Sequence, residues 1–116
     1  MTQPEDADFT AWVEEAVESL PAEFRVALSN LVIEIEDEDP QHPGRLGLYQ
    51  GVPLTRRTSG YLFALPDRIT IYRRSLERFY GYDREVLRER VRHTVLHEVA
   101  HHFGISDERL REIDRY

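Results

Sequence analysis

The chain has 116 residues, among them 15 Arg and no Lys, 22 acidic residues and no cysteine, with 41% hydrophobic residues. That length fits one small domain with a compact core and excludes large lobes or insertions. Without cysteine there is no disulfide, thiolate metal site or cysteine nucleophile, so any chemistry rests on histidine, carboxylates, hydroxyls and a metal ion.

The net charge of -7 is unevenly spread. Residues 1–40 hold twelve acids and one Arg, a balance of -11, whereas residues 41–116 hold ten acids and fourteen Arg, a balance of +4. The two halves should attract. Arginines in the stretch Arg84, Glu85, Arg88, Glu89, Arg90, Arg92 alternate with acids as helical charge pairs rather than forming a basic patch, which argues against a nucleic-acid partner. Met1 is followed by Thr2-Gln3-Pro4-Glu5-Asp6 rather than by a basic and then apolar leader, and the apolar stretches are short. The expectation is a cytoplasmic protein with no membrane partner.

Residues 1–7 are polar and acidic, with Pro4, and read as a loose tail before a single domain over 8–116. Phe9, Trp12, Val13, Ala16, Val17 and Leu20 recur at helical spacing and predict a first helix over about 8–19. Pro21 suits a first helical position, predicting a second short helix to Leu28 that ends near Asn30. Val32 to Asp37 is β-branched and alternates apolar with acidic residues, as a strand with one buried face does. Prolines and glycines divide residues 39–56 into turns, leaving room for a short strand around Leu46 to Tyr49. Gly60 to Leu65 reads as extended, and Arg68 to Arg73 as a strand. Ser75 to Phe79 reads as one helical turn. Asp83 sits where an N-cap belongs, and Val86, Leu87, Val91, Val95, Leu96, Val99 and Phe103 carry a long helix of about five turns up to Gly104. Asp107 to Tyr116 reads as a last short helix. Phe9, Trp12 and Phe24 are expected in the core.

One segment carries chemistry: His97-Glu98-Val99-Ala100-His101-His102-Phe103-Gly104-Ile105-Ser106-Asp107, an HExxHxxGxxD pattern. The letters HExxH alone arise by chance in roughly 2% of chains of this composition, and adding Gly and Asp lowers that to roughly one in ten thousand. At about 100° per residue, His97 and His101 lie about 40° apart around the helix and one turn along it, so both imidazoles can reach one ion. Val95, Leu96, Val99, Ala100 and Phe103 occupy the far arc, so the histidines face away from the packed side. Glu98 is too far round to compete as a ligand but can hold a water beside the ion, the position of a general base. Gly104 fits a left-handed helix terminus. Beyond it Asp107 either returns to the ion as a third ligand, leaving a fourth position open, or caps the last helix. His93 reads as a helix-face histidine that could line the cleft, and His102, about 100° round from His101, as surface or supporting rather than ligating.

HEVAHHFGISD, with the upstream strand Arg68 to Tyr72 and the acidic N-terminal half, resembles the minimal zincin-like metallopeptidase family of small bacterial, mostly actinobacterial, proteins. The resemblance implies an α+β fold in which a small mixed sheet packs on an N-terminal helix and a long active-site helix. It implies one Zn²⁺ held by His97, His101 and Asp107, Glu98 as catalytic acid and base, and a peptide or protein substrate. The pattern is also similar to that of the metzincins, except that Asp107 replaces a third histidine and Met1 is the only methionine, so no Met-turn underlies the site. A catalytically silent module that binds metal or a protein partner on the same scaffold is the alternative. In such folds an edge strand pairs with extended substrate, and Ile69 to Tyr72 is the expected strand, with Tyr72 or Tyr61 as a possible oxyanion donor beside the plainer reading of core packing.

Overall fold

The computed structural model describes residues 6–26, 28, 30–51, 66–105 and 108. Seven elements follow one another: α1 (Asp6–Glu18), α2 (Ala22–Val26), β1 (Leu31–Glu36), β2 (Gly47–Gln50), β3 (Asp67–Tyr72), α3 (Arg73–Tyr80) and α4 (Arg84–His102). This is the small α+β arrangement expected: among the described residues, a mixed three-stranded sheet with four helices, α4 lying on the sheet and α1 on α4. The extended reading of Gly60 to Leu65 and the last helix from Asp107 lie outside the described residues, as does most of the acidic tail. None of the described helices is long and apolar enough to cross a membrane.

Strand order is β1-β3-β2, with β3 parallel to β1 and antiparallel to β2. The register pairs Ile33 with Ile69 and Ile35 with Ile71 on one side, and Tyr49 with Ile69 and Gly47 with Ile71 on the other. This corrects the expectation for Ile69 to Tyr72. β3 is the central strand, with its backbone paired on both sides, so it has no free edge for a substrate. Its burial explains the position: Ile69, Thr70, Ile71 and Tyr72 are all buried, as a strand covered on both faces requires. Among the described residues, the edges belong to β1 and β2.

The core gathers Phe9, Trp12, Val13 and Ala16 of α1, Leu87, Val91, Val95 and Val99 of α4, Ile69 and Ile71 of β3, and Leu76 of α3. The apolar spacings read from α1 and α4 are the faces that meet. Phe24 departs from expectation: α2 ends at Val26, is too short to bury a face, and leaves Phe24 42% exposed with its ring edge against Phe103. α3 runs two turns rather than one because Leu76 plugs into the core and the Ser75 hydroxyl donates to the Pro43 carbonyl at 2.6 Å.

The charge asymmetry is spent on joining the halves. Arg84 reaches Asp8 at 3.1 Å and Arg88 reaches Glu15 at 2.7 Å between α4 and α1, while Arg73 meets Asp37 at 3.1 Å and Arg78 meets Glu38 at 3.6 Å at the end of β1. Such exposed pairs orient elements more than they stabilise them.

Candidate metal centre

α4 begins as its sequence dictates: the Asp83 side chain accepts hydrogen bonds from the backbone N–H groups of Glu85 and Val86. It ends with equal definition. Gly104 takes φ +85°, its N–H donates to the His101 carbonyl, and the Ile105 N–H donates to the Ala100 carbonyl, both at 2.9 Å. This pair of bonds is the Schellman termination that glycine permits without steric cost. The chain turns sharply just beyond His101 and His102.

His97 and His101 sit half-buried on the flank of α4 opposite Val95 and Val99. Their Nε2 atoms lie 3.2 Å apart, with rings 4.8 Å apart and inclined at 78°. Two nitrogens bound to one tetrahedral zinc at 2.0–2.1 Å stand about 3.3–3.4 Å from each other, so the pair is already spaced to chelate. Among the described residues, no third His, Asp or Glu completes a three-ligand group with them. Asp107, the expected third ligand, lies outside the described residues. His93 continues the row one turn earlier, half-buried, its ring 6.2 Å from that of His97.

Glu98 is only 8% exposed. It lies against β2: a Cβ on Gly47 would stand 3.2 Å from the Glu98 Cγ, 3.4 Å from its Oε2 and 2.8 Å from the Thr94 Cγ2. Glycine here lets the strand approach the helix closely enough to cover the carboxylate. Among the described residues, the edge strand beside Glu98 is therefore β2, not β3.

Of the two readings of His102, surface or supporting, the structure favours the second: it is 1% exposed, and its Nδ1 lies 2.8 Å from Oδ2 of the equally buried Asp67. The same Oδ2 accepts the Tyr49 hydroxyl at 2.6 Å, and the Tyr49 and His102 rings meet edge to face. Gly51, just past β2, backs directly onto this carboxylate; a Cβ there would fall 2.4 Å from the Asp67 Cγ. Sequence reasoning missed Asp67, Tyr49 and Gly47. Pro66-Asp67 has the look of a turn, and no local period can announce a contact across thirty-five positions.

Tyr72 belongs to the far end of β3. Burial first, then the charges of Asp39 and Glu36, hold its phenol above the ordinary tyrosine value. That environment fits the core-packing reading. Tyr61 lies outside the described residues.

Comparison with known proteins bears on this geometry. A solved structure of a conserved hypothetical protein (TTHA0227) from T. thermophilus is similar to the chain, with a TM-score of 0.56 and 27% sequence identity over 95% of this chain and 100% of that one. No functionally curated protein matches. The family described as zincin-like metallopeptidase matches residues 28–116, a span that holds the whole sheet, α4 and the histidine pair. This chain belongs to the zincin-like metallopeptidase family.

Proposed function

We propose that the protein is a zinc-dependent peptide hydrolase, with His97, His101 and Asp107 as metal ligands and Glu98 as general base. The observation that carries this reading is the 3.2 Å separation of the two Nε2 atoms on one turn of α4. Membership in a metallopeptidase family supports it. When bound, a divalent ion supplies Lewis acidity, acidifying a water and polarising a carbonyl.

The chain's own residues do the remainder. The Glu98 carboxylate takes a proton from the attacking water and delivers it to the leaving amine nitrogen, so the carboxylate is regenerated each cycle. Its cover by β2 restricts bulk water around it, which strengthens its electrostatic interactions. Among the described residues β2 is paired on one side only, and its other side can add an extended peptide as a further strand next to α4.

The test is turnover by zinc-loaded protein on a panel of quenched fluorescent peptides, set against Glu98→Gln. Loss of turnover by orders of magnitude with zinc content unchanged is expected. Equal turnover by both proteins overturns the catalytic assignment, and bound zinc without hydrolysis of any substrate returns the protein to the class of metal-binding interaction modules.

A further inference from the structure

His101 and His102 are neighbours in sequence whose rings leave α4 in different directions, one toward His97 and the other into the protein. The inward ring meets a hub. Asp67 opens β3, its backbone N–H donates to the Asn30 carbonyl at 3.2 Å just before β1, and one of its carboxylate oxygens receives both His102 and Tyr49. Side chains of Asp67 and His102 are essentially inaccessible to solvent. Gly51 closes another side of the carboxylate. Three elements, β2, β3 and the last turn of α4, are thus tied to a single oxygen atom.

A carboxylate only accepts hydrogen bonds, so the Nδ1 of His102 carries the hydrogen and the ring's orientation is fixed. With that ring fixed, the peptide unit joining residues 101 and 102 is fixed as well, and with it the direction in which the His101 ring projects. Tyr49 extends the tie to β2, the strand that covers Glu98. The Asp67–His102 pair at the centre of this network is fully buried. The His102 Nε2 has no hydrogen-bond partner among the described residues, but the bond at Nδ1 allows that ring one orientation, which makes the pair a reference for the groups it holds.

We infer that Asp67, His102 and Tyr49 form a positioning network that sets the His101 ring against His97 and β2 against α4. The inference rests on the metal reading above and deepens it. None of the three is among the proposed metal ligands, so each acts through another group.

The experiment compares three variants with the wild-type chain by zinc affinity, measured in competition with a chromophoric chelator, and by the d–d absorption spectrum of the cobalt-loaded protein. His102→Leu keeps bulk but removes the hydrogen bond and should weaken zinc about tenfold or more, with an altered cobalt spectrum. His102→Asn places an amide N–H where Nδ1–H stood and should restore most of the affinity. Tyr49→Phe deletes one hydroxyl, conserves packing and should weaken zinc severalfold even if His102→Leu fails to fold. Wild-type affinity and spectrum in Tyr49→Phe, or in a folded His102→Leu, overturn the inference, as does equal loss in His102→Leu and His102→Asn. A wild-type protein that takes up no zinc overturns the metal reading and this one together, an outcome read from a different sample and so distinct from the rest.

Discussion

Gly47 of β2 lies so close to Glu98 of α4 that a Cβ there would press tightly on the Glu98 side chain. The nearest obstacle is the Thr94 methyl, 2.8 Å from that position, followed by the Glu98 Cγ at 3.2 Å. Gly47→Ala should therefore cost about 1–3 kcal/mol through overpacking, measured by urea denaturation of the metal-free protein. Thr94→Ser removes the methyl but keeps the hydroxyl that donates to the Arg90 carbonyl at 2.7 Å. The double variant should recover much of the loss. Additive effects of the two changes would show that the contact with Thr94 is not what excludes a side chain at position 47.

Zinc binding by a preformed histidine pair should appear as stabilisation of the fold. Free zinc at about a hundred times its dissociation constant adds about 2.7 kcal/mol, a rise of roughly 10 °C in Tm for a domain of this size. A strong chelator should reverse it, and neither His97→Ala nor His101→Ala should show it. Differential scanning fluorimetry with and without zinc decides the matter. A zinc response as large as the wild type's in either variant would contradict chelation by this pair.

Much of this arrangement is legible in the sequence because it rests on local rules. The stripe from Phe9 to Val17, the Asp83 cap, the helical spacing of His97 and His101 and the glycine that ends α4 each depend on residues within a few turns of one another. What escaped is what long-range pairing decides. Alternation in Arg68 to Arg73 identifies a strand but cannot tell a central strand from an edge. Helical angle turns His102 away from His101 but cannot say that a buried carboxylate waits there. Phe24 looks like a core anchor until α2 proves too short to bury it.

Asp39 gives a pH dependence with a definite sign. The backbone N–H of Gln41 above all, assisted by the Arg45 guanidinium at 2.9 Å, holds its carboxyl below the ordinary aspartate value even though burial pulls the other way. A carboxyl depressed in the folded state contributes stability that is complete above its unfolded value, about 4, and is lost as pH falls through the lower folded value. Asp39→Asn should be less stable than wild type at pH 7, with the difference shrinking below about pH 4. Circular dichroism during urea unfolding at a series of pH values measures it. A difference constant from pH 7 to pH 2 would mean that Asp39 stabilises by shape rather than charge.

The two ends of α4 should respond differently to mutation, since only one lies beside His97 and His101. Asp83 caps the first turn, far along the helix from His97 and His101, and Asp83→Ala should cost about 1 kcal/mol of stability while leaving zinc affinity unchanged. Gly104, at φ +85°, turns the chain out of the helix. An alanine there meets the left-handed steric penalty, about 1–2 kcal/mol, and asparagine meets less of it. If Asp107 is the third ligand, Gly104→Ala relaxes toward a right-handed backbone that aims Asp107 elsewhere, so zinc affinity should fall together with stability. Chelator competition on the two variants separates the effects: equal affinities in Asp83→Ala and Gly104→Ala would remove Asp107 from the ligand set, whereas a loss confined to Gly104→Ala, matched by Asp107→Ala, would place it there.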